Sequence, residues 1–344
     1  MSRPTEPGTV DLDALAGWMD DRGLERGAPI DDVDRITGGT QNVLLRFRRG
    51  GRTFVLRRPP PHKRANSDET MRREARVLAA LAGTDVPHPG LIAAEGGVDL
   101  LGAAFYLMEA VDGFNPSLGL PDPHRSDLAV QHEMGLSMAD GIAALGRVDV
   151  DAVGLRDLGK PEGWLERQVE RWRSHLASYE AIEGYDGPDG IPDVERVATW
   201  LDAGRPASWT PGLIHGDFHF ANVLVRRDGG RLAAIVDWEL ATIGDPLLDL
   251  GHLLCTWPGS GSPIAVPGTG LPTRDEVVAR YAAGSARSVD HVDWYQVLAC
   301  YRLGIILEGT HARAAAGQAP EEVGDLLHAH TVSLFEQAHR LIDA

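Results

Sequence analysis

The chain has 344 residues, a net charge of −17, 43% apolar and 24% charged residues, a globular composition with length enough for two lobes and a sizeable core. The acidic balance excludes general nucleic-acid binding, which requires a basic face, and no apolar run approaches the roughly 20 residues that cross a membrane. Cys255 and Cys300, each in apolar company, read as buried free thiols, which argues against a disulfide framework and for a reducing, cytoplasmic setting, and residues 1–13 carry no apolar signal-peptide core.

In chain order, residues 1–10 read as a tail. Residues 10–19 read as a helix, with Leu12, Leu15, Trp18 and Met19 at helical spacing and Asp11 or Asp13 near its start. Residues 35–47 read strand, turn, strand, with Gly38 and Gly39 in the turn. Residues 53–58 form the following strand, ended by Pro59, Pro60 and Pro61; alternation puts Val55 and Arg57 on one face and Phe54, Leu56 and Arg58 on the other. His62, Lys63 and Arg64 read as a basic surface loop. Met71, Ala75, Leu78 and Leu81 mark a helix over 69–81, and residues 105–111 read as a buried strand running into a linker, with a lobe boundary near Val111.

Leu128, Met134, Met138, Ile142 and Leu145 predict a helix over 126–145, and Trp164, Gln168, Trp172, Leu176 and Tyr179 predict another. After a polar break at 184–190, a further helix begins over 194–201. Residues 272–276 look like a helix start, and 292–306 and 321–342 are two long helical patterns.

The chemistry concentrates in residues 213–250. An apolar pair, Leu213 and Ile214, leads into the polar loop 215–222 and the short strand 223–225. A hairpin turn with Asp228-Gly229 follows, and the second strand, 232–236, delivers Asp237. The hairpin would bring Asp217, Asn222 and Asp237 to one end of the sheet. Two carboxylates and a carboxamide are hard oxygen ligands suited to Mg²⁺, which takes one or two carboxylates together with substrate phosphates. Phosphoryl transfer needs an acceptor hydroxyl held in line, a carboxylate facing it, and metal to neutralise the phosphates. The spacing His215-x-Asp217 and then Asn222 matches the kinase catalytic loop, and Asp237-Trp238-Glu239 stands where that pattern has Asp-Phe-Gly. Asp245 and Pro246 read as the cap and first turn of the next helix, and Asp249 as a brace for the loop.

Together HGDFHFANVL, IVDWELATIGDPLLDLG and FVLRRPP resemble the aminoglycoside phosphotransferase/choline kinase family, a branch of the protein-kinase-like fold, and within it the kinase-like domain fused to acyl-CoA dehydrogenases. The resemblance implies an α+β bilobal fold, with a β-rich N-lobe over 1–111 and a mainly helical C-lobe over 112–344. It implies ATP and Mg²⁺ as cofactors and a small molecule bearing a hydroxyl as substrate. Asp217 would be the catalytic carboxylate, and Asn222 and Asp237 the metal ligands. Gly38, Gly39, Thr40 and Asn42 would cover the nucleotide phosphates, because glycine lets backbone N–H groups approach phosphate oxygens. Arg57, where the kinase pattern has Lys, would meet the phosphates and pair with Glu74. Glu109 and Val111 would belong to the hinge whose backbone meets adenine. Trp294, Tyr295, Tyr301, Arg302, Glu308 and His311 are the residues of the last helices able to reach an acceptor.

Three other readings bear on the same residues. Gly216-Asp217-Phe218-His219 looks like the opening motif of metallophosphoesterases, but no Gly-Asn-His follows anywhere in the chain. Arg57 in place of Lys is the one feature favouring a nucleotide-binding pseudokinase. An aminoglycoside kinase would end in an acidic cradle for its polycationic acceptor, whereas this chain ends His339-Arg340-Leu341-Ile342-Asp343-Ala344. The acceptor expected instead is a hydroxy acid or its CoA ester.

Overall fold

The computed structural model describes residues 10–36, 42–260, 266 and 268–344. The chain divides into two compact units, Met1–Gly113 with Ala233–Glu239, and Phe114–Leu232 with Leu240–Ala344. Gly38, Gly39 and Thr40 lie outside the described residues.

In the first unit α1 (Leu12–Asp21) starts where Asp11 Oδ1 accepts the Ala14 N–H at 2.9 Å, which satisfies one of the amides a helix N-terminus leaves open. Strands β1 (Ile30–Arg35), β2 (Val43–Arg49), β3 (Arg52–Arg58), β4 (Leu91–Glu95) and β5 (Phe105–Glu109) form an antiparallel sheet in the order β1-β2-β3-β5-β4. Gly50 and Gly51 join β2 to β3 with φ of 55° and 84°, the left-handed backbone a two-residue hairpin demands. Helix α2 (Ser67–Leu81) follows β3.

Leu15, Trp18 and Met19 of α1 pack with Phe47, Phe54, Leu56, Phe105 and Leu107 of the sheet. Trp18 lies 4.9 Å from Phe105 between ring centres, and its indole N–H donates to Glu95 at 2.9 Å. Each such apolar side chain contributes about 1.5–3 kcal/mol on full burial. The returning segment Ala233–Glu239 is tied in by the Ile235 N–H, which donates to the Pro87 carbonyl at 2.8 Å.

Two strands exceed what the sequence pattern predicts. β1 begins at Ile30 and runs through Asp31, Asp32 and Asp34, with all but its first residue exposed. It is the edge of the sheet, where charge blunts unwanted pairing and hides the strand pattern. β4 is partly buried and rich in alanine, so it lacks the β-branched run that announces a strand.

The second unit is mainly helical. Its elements are α3 (Leu128–Gly146), α4 (Gln168–Ala177), α5 (Val194–Ala203), β6 (Gly212–Ile214), β7 (Val223–Val225), β8 (Leu232–Ile235, mostly counted with the first unit), β9 (Thr242–Gly244), α6 (Leu247–Cys255), α7 (Arg274–Gly284), α8 (Val292–Ala315) and α9 (Glu321–Ile342). The turn after β7 closes with the Arg226 N–H donating to the Arg231 carbonyl at 2.9 Å. β6 and β9 pair antiparallel. Asp245 Oδ1 accepts the Leu247 N–H at 3.0 Å and caps α6, and Oδ2 accepts the Tyr295 hydroxyl at 2.6 Å. Thr273 and Glu276 form a reciprocal capping box at the start of α7. Among the described residues no helix is long and apolar enough to cross a membrane.

α6 and α8 pack closely at Gly251, where a Cβ would stand 2.4 Å from the Tyr295 carbonyl oxygen. Cys255 and Cys300, distant in sequence, become neighbours across these two helices. Burial and the Cys255 contact push the Cys300 thiol well above its usual range. Gly251→Ala is therefore expected to force α6 away from α8 and destabilise the protein by about 1–3 kcal/mol, the usual cost of overpacking. A urea midpoint equal to that of the wild type would show that the two helices are not fixed at this contact.

Candidate active site

Strand β6 delivers the chain into the loop at His215. Asp249, three residues into α6 and fully buried, accepts the His215 N–H at 2.7 Å through Oδ2 and the Gly216 N–H at 2.8 Å through Oδ1. Burial raises its pKa, opposed by His215 and by the two amides. Gly216 has φ 83°, and a Cβ there would stand 2.6 Å from the Leu240 carbonyl oxygen, so only glycine lets the loop turn at this point. His215 Nδ1 accepts the Asp217 N–H at 3.2 Å, a bracing role.

These constraints present Asp217. Its side chain is about a third exposed. Oδ1 lies 3.2 Å from His252 Nε2, and Oδ2 lies 3.5 Å from His219 Nε2. Asn222 Nδ2 donates to the Asp217 carbonyl and to Oδ2, both at 2.9 Å. Burial alone would raise the Asp217 pKa, but the His219 and His252 contacts outweigh it and hold the carboxyl well below its usual range. Asp217 is therefore ionised throughout the physiological range and able to orient a hydroxyl. Asn222 spends its nitrogen on Asp217 and keeps Oδ1 as the oxygen it has to offer a cation.

His252 was not singled out by sequence reasoning. It lies three residues after Asp249 on the same helix, so both project from one face, and that spacing is the signal that could have found it. Burial lowers its pKa to about 4, with Asp217 opposing.

In the first unit β3 and α2 bring Arg57 and Glu74 together. Arg57 Nε lies 2.9 Å from Glu74 Oε2, and Nη2 lies 3.3 Å from Oε1. Tyr106 donates its hydroxyl to Glu74 Oε2 at 2.8 Å. The same Nη2 reaches Asp237 Oδ1 at 2.6 Å, a contact across 180 positions of sequence that the local pattern does not show. Asp237 itself adopts φ 66°, a left-handed conformation that non-glycine residues take at a cost. Burial acts to lower the Arg57 pKa, but Glu74, Tyr106 and Asp237 outweigh it and keep the guanidinium charged. Burial and the nearby Asp237 raise Glu74 to about 7 against the pull of Arg57.

Glu74, Asp237 and Glu239 bring carboxylate oxygens within 4.8 Å of one another. Three carboxylates against one guanidinium leave an excess of negative charge on hard oxygens, the donor set that suits Mg²⁺. Asn42 is half-buried just before β2. The Glu109 N–H is already taken by the Gly90 carbonyl at 2.9 Å, and Val111 follows the end of β5. Of the residues expected to reach an acceptor from the last helices, Trp294, Tyr295, Tyr301, Arg302 and Glu308 are buried. Trp294 Nε1 donates to the Leu201 carbonyl at 3.0 Å, and Glu308 accepts the Tyr185 hydroxyl at 3.0 Å and pairs with His328 at 2.8 Å.

The model of the phosphotransferase enzyme family matches residues 32–287. The chain belongs to that family. It is similar to acyl-CoA dehydrogenase family member 10 of Mus musculus, 29% identical over 87% of this chain and 28% of that protein. It is likewise similar to acyl-CoA dehydrogenase family member 11 of Rattus norvegicus, 28% identical over 87% of this chain and 38% of that protein. The chain thus spans about a third of the length of these curated relatives. A crystal structure from Ralstonia eutropha JMP134, provisionally assigned to the aminoglycoside phosphotransferases, is 28% identical with a TM-score of 0.79, covering 96% of this chain and 99% of that one. Aminoglycoside phosphotransferase APH(4)-Ia, in ternary complex with AMP-PNP and hygromycin B, shares the fold at 15% identity and a TM-score of 0.60, covering 93% of this chain and 98% of that one. The small sheet lobe and the helical lobe are those of the protein-kinase-like phosphotransferases.

Two buried histidines of this phosphotransferase give its stability a definite pH dependence. His252 and His330 are each held near 4, with burial the main cause. In the window between about 4 and 6.5 the unfolded chain binds more protons than the folded one, so stability rises with pH there. The contribution is complete above about 6.5 and is lost as pH falls through 4, on the order of 3 kcal/mol for each histidine. In His330→Gln the loss of stability between pH 7 and pH 4.5, read from urea midpoints, is expected to shrink. An unchanged loss would mean that His330 does not titrate as a buried neutral group.

Proposed function

We propose that this chain is an ATP- and Mg²⁺-dependent kinase that transfers the γ-phosphate to a hydroxyl of a small molecule, a hydroxy acid or its CoA ester. The observation that carries the reading is Asp217: an ionised, partly exposed carboxylate fixed by Asn222 and His252 on a loop that Asp249 anchors. Such a group orients the acceptor hydroxyl and takes its proton as the phosphoryl group arrives. Asp237 and Asn222 are the ligands we assign to Mg²⁺, which when bound neutralises charge on the phosphates. Arg57, kept charged by Glu74 and Asp237, is assigned to the nucleotide phosphates. Asn42 is assigned to the phosphate-covering turn, and Glu109 and Val111 to the adenine edge. The hydroxy-acid class draws support from the relatives, whose names are those of acyl-CoA dehydrogenases.

Mg²⁺-dependent release of ADP from ATP tests the proposal, measured against short and medium hydroxy acids, their CoA esters, choline, homoserine and several aminoglycosides. Stimulation by one acceptor class is expected. Asp217→Ala should lower turnover by about 10²- to 10⁴-fold, the usual reach of a general base. Turnover unchanged in that variant would refute the role of Asp217. ATP binding without stimulation by any acceptor would point to a regulatory nucleotide-binding module instead. Asp237→Ala is expected to abolish Mg²⁺-dependent turnover, and normal turnover would place the metal on other residues.

A further inference from the structure

α8 and α9 bring together a second group of ligand-type side chains, which shares no residue with the loop 215–222. Glu308 and His311 are three residues apart on α8, and Asp325 and His328 three apart on α9, so each pair projects from one face of its helix. Gly324 lets the two helices approach here, since a Cβ on it would stand 2.5 Å from the Ala314 Cβ. Glu308 is fully buried, accepts the Tyr185 hydroxyl at 3.0 Å through Oε1, and stands 2.8 Å from His328 Nδ1 through Oε2. Those two partners account for Glu308, but not for His311. The His311 ring lies 4.5 Å from that of His328 between centres. Its Nδ1 is buried with no hydrogen-bond partner among the described residues, and Asp325 Oδ1, at 3.8 Å, is too far to be one. A buried ring nitrogen left unpaired is unfavourable and calls for an explanation. One ligand atom from each of Glu308, His311 and His328 lies within 4.8 Å of the other two.

We propose that Glu308, His311 and His328 bind a divalent transition-metal ion, with Zn²⁺ as the occupant, and that the ion clips α9 to α8. Zn²⁺ takes imidazole nitrogens and carboxylate oxygens at about 2.0–2.2 Å, which sets neighbouring ligands about 3 Å apart. Glu308 and His328 already stand at such a separation, and His311 joins them by a movement of its side chain alone. Two imidazoles disfavour Mg²⁺ and Ca²⁺, which take oxygen ligands, and a set without thiolate disfavours Cu(I). The His311 and His328 side chains are 30% and 27% exposed, so an ion can enter from solvent. A water or the exposed Asp325 carboxylate completes the coordination. The inference is independent of the phosphotransfer reading and uses none of the residues assigned there.

The experiment titrates the full chain, stripped of metal with a chelator, with Zn²⁺ by calorimetry, and compares thermal melting with and without the ion. The variants are His311→Gln, Glu308→Gln and His219→Gln. His311→Gln removes one ligand and leaves the bonds of Glu308 to Tyr185 and His328 in place; if it does not fold, Glu308→Gln, of the same shape, carries the comparison. His219→Gln is the control, because Asp217, His219 and His252 form another histidine-bearing cluster among the described residues. Zn²⁺ is expected to raise the wild-type melting temperature by about 5 °C when present at about a hundred times its Kd. His311→Gln and Glu308→Gln should each weaken the site by about 10²-fold or more, since losing merely an outer partner of a ligand costs about 10- to 100-fold. Affinity kept in His219→Gln supports the assignment. X-ray absorption at the zinc edge should show two imidazoles in the wild type and one in His311→Gln. No Zn²⁺ binding by the wild type, or equal affinity in the wild type and the 308 and 311 variants, would overturn the inference. Binding lost only in His219→Gln would place the ion on the other cluster and overturn it too.

Discussion

The carboxylate of Asp249 has no solvent and two amides to hold, those of His215 and Gly216. The loop 215–222 depends on this constraint. A loop of eight residues between two short strands has little hydrophobic area with which to fix itself. A buried charged acceptor makes the two hydrogen bonds strong, and leaving either donor or acceptor unmet in the interior would cost about 1–3 kcal/mol. With the loop pinned at its entry, Gly216 can turn sharply and Asp217 emerges at a fixed place. Asn222, on the far side of the loop, closes it by donating to both the backbone and the side chain of Asp217.

The same logic of over-determined charge governs the first unit. Arg57, Glu74, Tyr106 and Asp237 form one connected network. A buried ion pair of this sort is weak evidence for stability, because desolvation offsets its attraction. Here the balance is visibly incomplete, since Glu74 is raised to about 7 by burial and by Asp237. The network, with Glu239 beside it, holds an excess of carboxylate over guanidinium. Arg in place of the usual Lys fits that arrangement. Its fork reaches two carboxylates at once, which a point charge on a flexible stem does less well.

Much of this was legible in the chain. α1, α2, α3 and α9 carry apolar stripes, and α1 and α3 are also capped by Asp11 and Asp127, so local pattern and tertiary role agree. The loop 215–222 and the turn after it are short-range, which is why their spacing could be read without coordinates. β1 and β4 were less legible because one is an acidic edge and the other an alanine-rich, partly buried strand. α8 runs to Ala315, well beyond the 292–306 pattern, since a helix buried on most sides has no stripe to follow. The Arg57–Asp237 contact and the meeting of Cys255 with Cys300 are long-range events that no local period encodes.

Buried polar groups without a packing purpose are the part of a sequence most informative about chemistry. Most polar side chains enclosed in the helical unit have partners that explain them: Glu308 has Tyr185 and His328, Gln131 has the carbonyls of His124 and Arg125, and Thr331 has that of Gly304. Those residues lower the free energy of the fold. Arg302 Nη1 has no such partner among the described residues, and neither have the Trp172 indole N–H and the Tyr301 hydroxyl.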